Sequence, residues 1–369
     1  IYFLDYGDDL IRANDHCRSY YHDNNFKKIM LKNNIIKMIN EKSFIYLDEF
    51  LKIAHQDQDL GYYTTQNPIG KEGDFITAPE ISQLYGEIIA LSIINKIKQK
   101  KIKRFEMIEL GPGKGTLMKD IIRIFESSLD KEIDYSVNFV EINKKYRSEL
   151  TNKFPNCKIF SELKDIKSNY SIIIANEFFD CLPMCQISSV NGELYETVIK
   201  IDNKSNLVFD KSKARKVIVE EIGHQLEEGD LYEYSKETNN IFTEIVKIIK
   251  NNGGFLLIAD YGYVKSTNRN SLQSIKDNKF TEVLSNIGKQ DITYHVNFSQ
   301  LLLIAKNAGL RNINVSSQSN FLKMNGINLR AEQLMISNPK FKDKIMDQLS
   351  RLTDPDKMGN LFKIFEAEY

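Results

Sequence analysis

Apolar residues early in the chain recur at helical spacing: Ile29, Ile36 and Ile39, then Phe50 and Ile53. That period predicts two helices within 24–53 that meet near Ser43, with the first thirty residues as an appendage. Gly, Pro, Asn and Thr crowd 61–73 and predict an ordered loop, after which apolar spacing resumes over 79–94 as a helix capped near Thr77. From 105 onward the pattern changes to short apolar runs separated by helix-length stretches. This is the alternation of a parallel sheet with helices on both faces. The strands read as 105–110, 137–141, 157–160, 171–176 and 255–261, and the helices between them as 116–125, 143–154 and 234–250. The last helix ends at Asn252-Gly253-Gly254, a stop signal because glycine readily takes the left-handed conformation that closes a helix.

Two stretches interrupt this alternation. Residues 186–209 are polar and hairpin-like, with Asn191-Gly192 as the turn signal. Residues 262–293 are irregular and precede a helix over 298–308. Segments 313–315 and 321–324 would close the sheet as an antiparallel pair, and the chain from 330 on reads as helical. The expected division is an N-terminal extension (1–38), a cap or lid (39–95), a core (96–330) with insertions at about 186–233 and 262–297, and a C-terminal helical segment (331–369).

Composition narrows the function classes. The chain has 369 residues, 42% of them hydrophobic, enough for a substantial core without staples. Lys+Arg and Asp+Glu balance at 50 each, so no overall field draws it to nucleic acid or an anionic membrane. Partners must be recognised locally. The lysine-heavy run 96–104 reads as a solvated helix end rather than a phosphate-binding patch. The longest apolar runs, such as 172–175 and 255–259, fall far short of the roughly 20 residues that span a bilayer. A soluble protein with no membrane insertion is expected. Cys17, Cys157, Cys181 and Cys185 are too sparse for a disulfide scaffold and read as reduced thiols. Pro183 spoils the turn between Cys181 and Cys185, and no His lies near them in sequence, so no metal site is expected. His16, His22, His55, His224 and His295 are scattered and read as surface or core residues rather than bases. The first forty residues, from Ile1, lack a signal-peptide apolar region and a transit-peptide composition, so the compartment reads as bacterial cytoplasm.

The chemistry concentrates in Glu109-Leu110-Gly111-Pro112-Gly113-Lys114-Gly115-Thr116. Glycines after a strand let backbone N–H groups approach a ligand, and the next helix points its positive end at any negative group. A phosphate-binding P-loop would need Gly and Ser or Thr where Ile108 and Gly115 stand, so that reading fails. A dinucleotide loop wants a third glycine where Thr116 stands, which weakens that reading without removing it. The G-x-G-x-G form after an acid-ended strand resembles motif I of Rossmann-like methyltransferases. Glu141, at the end of the next strand, sits where such folds pair ribose hydroxyls, although a strand-end Glu capping a helix at Asn143 fits the same sequence. Asn176-Glu177 occupies the other lip of the cleft at the carboxyl edge of the sheet.

Several segments together carry a family resemblance: Gly61-Tyr62-Tyr63, Gly73-Asp74-Phe75, Thr77-Ala78-Pro79-Glu80-Ile81-Ser82-Gln83, Gly86-Glu87, the glycine loop, Asn176-Glu177-Phe178-Phe179-Asp180 with Leu182-Pro183, and Asp260-Tyr261-Gly262. They resemble the MidA family of methyltransferases, which includes the mitochondrial complex I assembly methyltransferase, over roughly 39–334. Asn297 stands where that family leads us to expect Asp, and Ser319-Asn320 replace a Gly-containing pair. The resemblance implies a class I (Rossmann-like) methyltransferase fold, S-adenosyl-L-methionine as cofactor, and a protein partner, an arginine on a respiratory complex I subunit. It also implies the mitochondrial matrix if the source is eukaryotic.

The cofactor-binding residues are then expected to be Glu109, Gly111, Gly113, Gly115, Thr116, Glu141 and Asn176. Arginine carries a delocalised charge that acids can localise while accepting a proton. Glu177 and Asp180 are the candidates, with Asp260 as third. The segment 62–87 is expected to fold over the cofactor with Asp74, Thr77 and Glu80 facing the ligand, although Phe75 and Ile81 packing this segment on the sheet is compatible with the same sequence. Two other functions stay open: an NAD-type oxidoreductase, which shares the fold logic, and a non-catalytic complex I assembly factor with the same fold.

Overall fold

Side chains alternate between the faces of a strand, so a strand apolar at every position must be covered on both sides. Ile172-Ile173-Ile174-Ala175 is such a run, and it forms the middle of the molecule. A computed structural model describes residues 24–369 apart from 67, 69, 71–72, 75, 166–169, 223–225, 266–267 and 269. The expected appendage up to residue 23, Phe75, Cys17, His16, His22 and His224 therefore lie outside the described residues.

The main sheet contains β1 (Arg104–Leu110), β2 (Asp134–Val140), β3 (Lys158–Phe160), β4 (Ser171–Asn176), β5 (Gly254–Tyr263), β6 (Arg311–Ser317) and β7 (Phe362–Glu368). Their order is β6-β7-β5-β4-β1-β2-β3, with Val296–Asn297 pairing beside the end of β5. The strands from β5 to β3 are parallel, while β7 runs antiparallel to both β5 and β6. Connections leave β1 and β4 in opposite directions, so a crevice opens between their carboxyl ends.

On one face Phe105, Met107, Ile172, Ile174, Leu257 and Ile364 share a core with Gln83–Lys100, Thr116–Ser128 and the C-terminal helices. On the other, Ile108, Leu110, Ile173, Ala175, Ile258 and Phe365 pack with Lys236–Asn252 and Phe298–Asn307. Gly86 lets the first two helices touch, since a Cβ there would lie 2.7 Å from the Cβ of Asp120. Glu87, fully buried, is held by Arg123 at 2.7 Å and Arg330 at 2.6 Å. The Gly86-Glu87 pair is thus explained by packing.

The structure departs from the sequence reading in four places. The helix expected over 79–94 is two pieces, Ala78–Ile81 and Gln83–Lys100, because Ser82 leaves helical geometry and its side chain accepts from the Leu84 amide. Thr77 precedes the first piece without a side-chain cap bond. The closing antiparallel partner of β6 is β7, not 321–324, which is helical. The C-terminal segment therefore ends as a strand buried between β5 and β6. The irregular 262–293 contains a small sheet of Gln273–Lys276, Lys279–Phe280 and Asp291–Thr293.

The fourth departure is the largest. The N-terminal residues and the 186–233 insertion share one five-stranded sheet, in which Ile45–Tyr46 pairs with Glu193–Ile201. The hairpin turn is at Asn191-Gly192 as read, both residues at positive φ (52° and 76°). Leu31, Ile35, Ile39, Phe50, Ile199 and Ile292 form one apolar cluster, tying the N-terminal helices to both insertions. Ile199→Ala should lower the unfolding free energy by about 2–5 kcal/mol, as cavity-forming substitutions do. A urea midpoint equal to that of the parent chain would show that this junction is not an integral core.

Candidate functional site

At the carboxyl end of β1 the chain must turn sharply into a helix. Gly111, Gly113 and Gly115 have φ of 62°, 51° and 67°, in the left-handed region that favours glycine. At Gly111 an added Cβ would stand 2.8 Å from the Phe178 ring, and at Gly115 2.7 Å from Phe154. The loop is thus pressed between the β4 edge and the helix Lys144–Lys153 side. The N–H groups expected to face a ligand are spent inside the protein: Gly111 donates to Val140 O (2.9 Å), Gly113 to Glu141 Oε2 (3.3 Å) and Gly115 to Pro112 O (2.7 Å). The loop is a rigid shelf locked to the sheet.

A cleft of about 290 Å³ lies along this edge. Its walls carry Glu109, Gly111, Gly113, Thr116 and Glu141 from the β1 and β2 ends, and Asn176, Glu177, Phe178 and Asp180 from the β4 end. Thr77 and Glu80 also line it, and Glu80 accepts a hydrogen bond from the Thr116 hydroxyl at the start of the helix.

Three expected residues are not on the wall. Gly115 packs behind the loop, as above. Asp260 is fully buried: Oδ2 accepts from the amides of Phe179 (3.0 Å) and Asp180 (3.3 Å), and Oδ1 from Tyr261 (2.9 Å). It is a clamp on the turn after β4, positioning Asp180 from behind. Asp74 is a strut: it accepts from the Tyr62 hydroxyl (2.5 Å) and the Asp277 amide (2.6 Å), joining the segment after Gly61 to the 262–297 insertion.

Four acids on the wall, Glu109, Glu141, Glu177 and Asp180, share an unusual state. Glu109 is 3% exposed, and its Oε2 has no hydrogen-bond partner. Burial pushes it up to about 8, against the pull of Lys153 and with the help of Glu141. Glu141 is raised to about 7 by burial, opposed by the N–H groups of Asn143 (2.8 Å) and Gly113. Glu177 stands at φ 50°, strained for a residue with a side chain, and its Oε1 accepts from Ala78 N (3.1 Å) and Asn176 Nδ2 (3.2 Å). Burial, then the charge of Asp180, lift it to about 8. Burial likewise raises Asp180, whose carboxylate takes a hydrogen bond from Tyr261.

Sequence reading missed Asp291 and undervalued Tyr63 and Tyr261, all on the cleft wall. The Tyr63 hydroxyl donates to Asp291 Oδ1 across 228 positions of sequence, and burial holds Asp291 well above the usual carboxylate range. The tyrosines sat in quoted motifs, but nothing local marked Asp291. His55 is buried and bonds the Cys181 carbonyl through Nδ1 (2.8 Å) with its ring edge-on to Tyr63. It is a brace, as a core histidine should be. Among the described residues no three His, Cys, Asp or Glu side chains are grouped to hold a metal ion, and no helix is long and apolar enough to cross a membrane.

A buried carboxylate with one unpartnered oxygen, a glycine shelf and an open cleft at the switch point form a cradle for a small molecule. Comparison with known proteins identifies the class. A crystal structure of a Burkholderia thailandensis protein bound to S-adenosyl-homocysteine shares the fold, with a TM-score of 0.80 at 19% identity over 93% of this chain and 92% of that one. The human mitochondrial protein arginine methyltransferase NDUFAF7 is 30% identical, covering 87% of this chain and 79% of its own length. The bovine protein of the same name is 29% identical over 92% of this chain and 83% of its own. The model of a family described as S-adenosyl-L-methionine-dependent methyltransferases matches residues 88–316, and this chain belongs to that family.

Proposed function

We propose that this methyltransferase acts on arginine in a protein, with a respiratory complex I subunit as acceptor. What carries the reading is a set of buried acids, Glu177 and Asp180 among them, none of which makes an ion pair among the described residues; Arg351 and Lys153 act on Glu177 and Glu109 only as more distant charges. Removing carboxylates from water without an ion pair is costly even where amides and hydroxyls hydrogen-bond them, so the site is built to receive a cation. The mitochondrial relatives, named protein arginine methyltransferases, support arginine. The complex I assignment rests on the family resemblance in the motifs. The same relatives favour the mitochondrial matrix for a eukaryotic source, and we retain bacterial cytoplasm otherwise.

The residues present fit the cofactor. Glu109, with its unpartnered oxygen, and Glu141 offer acceptors beside the Gly111, Gly113 and Thr116 shelf, and Asn176 lies on the opposite lip. When bound, S-adenosyl-L-methionine supplies a methyl group made electrophilic by its sulfonium sulfur. The chain's own task is alignment and proton removal. Holding an acceptor in line is worth up to roughly 7–11 kcal/mol. Free arginine keeps its proton to a pKa of ~12.5–13.8, so its nitrogen lone pair is delocalised. Glu177 and Asp180 would bind the guanidinium, draw its charge toward the held nitrogens, and take the proton released as the N–methyl bond forms. Asp260 acts only through the amides it holds.

Glu177→Gln should abolish methyl transfer to arginine, followed by mass spectrometry of complex I subunits, while leaving S-adenosyl-homocysteine affinity within about threefold. Retained turnover removes Glu177 from this role. Because Glu177 is raised to about 8, kcat/KM should climb as pH rises toward that value and the acid loses its proton. Among variants with residual activity, Glu177→Asp should shift that limb; a flat profile in the parent chain contradicts a proton-accepting acid. Glu141→Ala should weaken S-adenosyl-homocysteine binding by roughly 10–100-fold in calorimetric titration, the loss of charge-assisted hydrogen bonds. Unchanged affinity would place the nucleoside elsewhere.

A further inference from the structure

Away from the glycine shelf, three acids of the cleft, Glu177, Asp180 and Asp291, come from two parts of the chain. Glu177 and Asp180 follow β4, whereas Asp291 lies in the 262–297 insertion. Asp291 is 5% exposed, lines the same cleft, and feels the negative charges of Asp180 and Glu177. Its orientation is fixed by Tyr63, and Tyr63 is itself fixed. The Asn143 side chain donates to the Tyr63 carbonyl at 2.8 Å, while His55 and Tyr62 meet its ring edge-on, each at 5.1 Å. Such bracing is what a preorganised binding carboxylate requires.

The unpartnered oxygen of Glu109, on the cofactor side of the cleft, independently marks the cleft as built for a ligand. Several carboxylates delivered to one cleft by two separate segments suit a planar cation with several N–H donors, as guanidinium has, better than a compact ammonium.

We propose that Asp291, aligned by Tyr63, is a substrate-binding carboxylate that makes the site select arginine over lysine, an inference that rests on the arginine reading above. Asp291 completes the acceptor side of the cleft, so this preference is built by the insertion and the N-terminal segment together.

The test is equilibrium binding to the full chain saturated with S-adenosyl-homocysteine, with N-acetyl-arginine amide and N-acetyl-lysine amide as probes. The parent chain should bind the arginine probe about tenfold or more tighter than the lysine probe. Asp291→Asn should lose about tenfold of the arginine affinity and bring the two probes close together, with S-adenosyl-homocysteine affinity unchanged. Asp291→Glu should restore part of the preference. Preference intact in Asp291→Asn overturns the assignment of Asp291 alone. No preference in the parent chain overturns the arginine reading and this inference with it. Should Asp291→Asn fail to bind S-adenosyl-homocysteine, Tyr63→Phe decides: it keeps the carboxylate and removes only its hydrogen bond. A roughly threefold or greater loss of preference supports the assignment, and no loss overturns it.

Discussion

Carboxylates held out of water without a cation are the constraint on which this architecture turns. Each raises the free energy of the folded chain unless something offsets it, and protonation is the cheapest offset. That is why burial pushes Glu109 and Glu177 up to about 8. Backbone amides supply the second offset. Asp260 takes three of them and Glu141 two, so the turn after β4 and the loop after β1 are each tied down by an acid. The remaining charge demand faces the cleft. Strain at Glu177, left-handed without being glycine, is tolerated because its carboxylate is held at the Ala78 amide.

The two halves of the cleft have different origins. The parallel sheet provides the shelf and the acids at the ends of β1, β2 and β4, a layout that depends on strand order alone. The other half depends on tertiary closure. One sheet joins Ile45–Tyr46 to the 186–233 insertion, and Asp74 bridges Tyr62 to Asp277, so Tyr63, Gln56 and Asp291 reach the wall from segments far apart in the chain. Loss of the apolar cluster around Phe50 and Ile199 would therefore disturb this half of the cleft before the glycine shelf.

The sheet strands were legible because apolar runs bounded by helices leave little choice, and Glu109, Glu141 and Asn176 were legible because a strand end fixes where its last side chain stands. The Asn191-Gly192 turn was legible from local chemistry. Strand β7 was not: it follows a helix directly, and the partners that make it a strand, β5 and β6, lie far back in the chain. Asp260 and Asp74 were read as facing a ligand because an acid beside a conspicuous motif looks functional. Whether its oxygens meet amides or a cleft is decided by folding. Asp291 had no local signal, since its only marker is a tyrosine 228 positions away. The glycine loop was read correctly in shape, but its amides were spent on Val140, Pro112 and Glu141, a use that only the folded neighbours define.

On this reading, proton-bearing acids in this cleft wait for a cation. Calorimetric titration with S-adenosyl-L-methionine, repeated in buffers of different ionisation enthalpy, measures it directly. Net proton release is predicted, with affinity rising as pH passes through the range near 7 and 8 where Glu141 and Glu109 titrate. Binding with no proton exchange and no dependence on pH across that range would contradict the account.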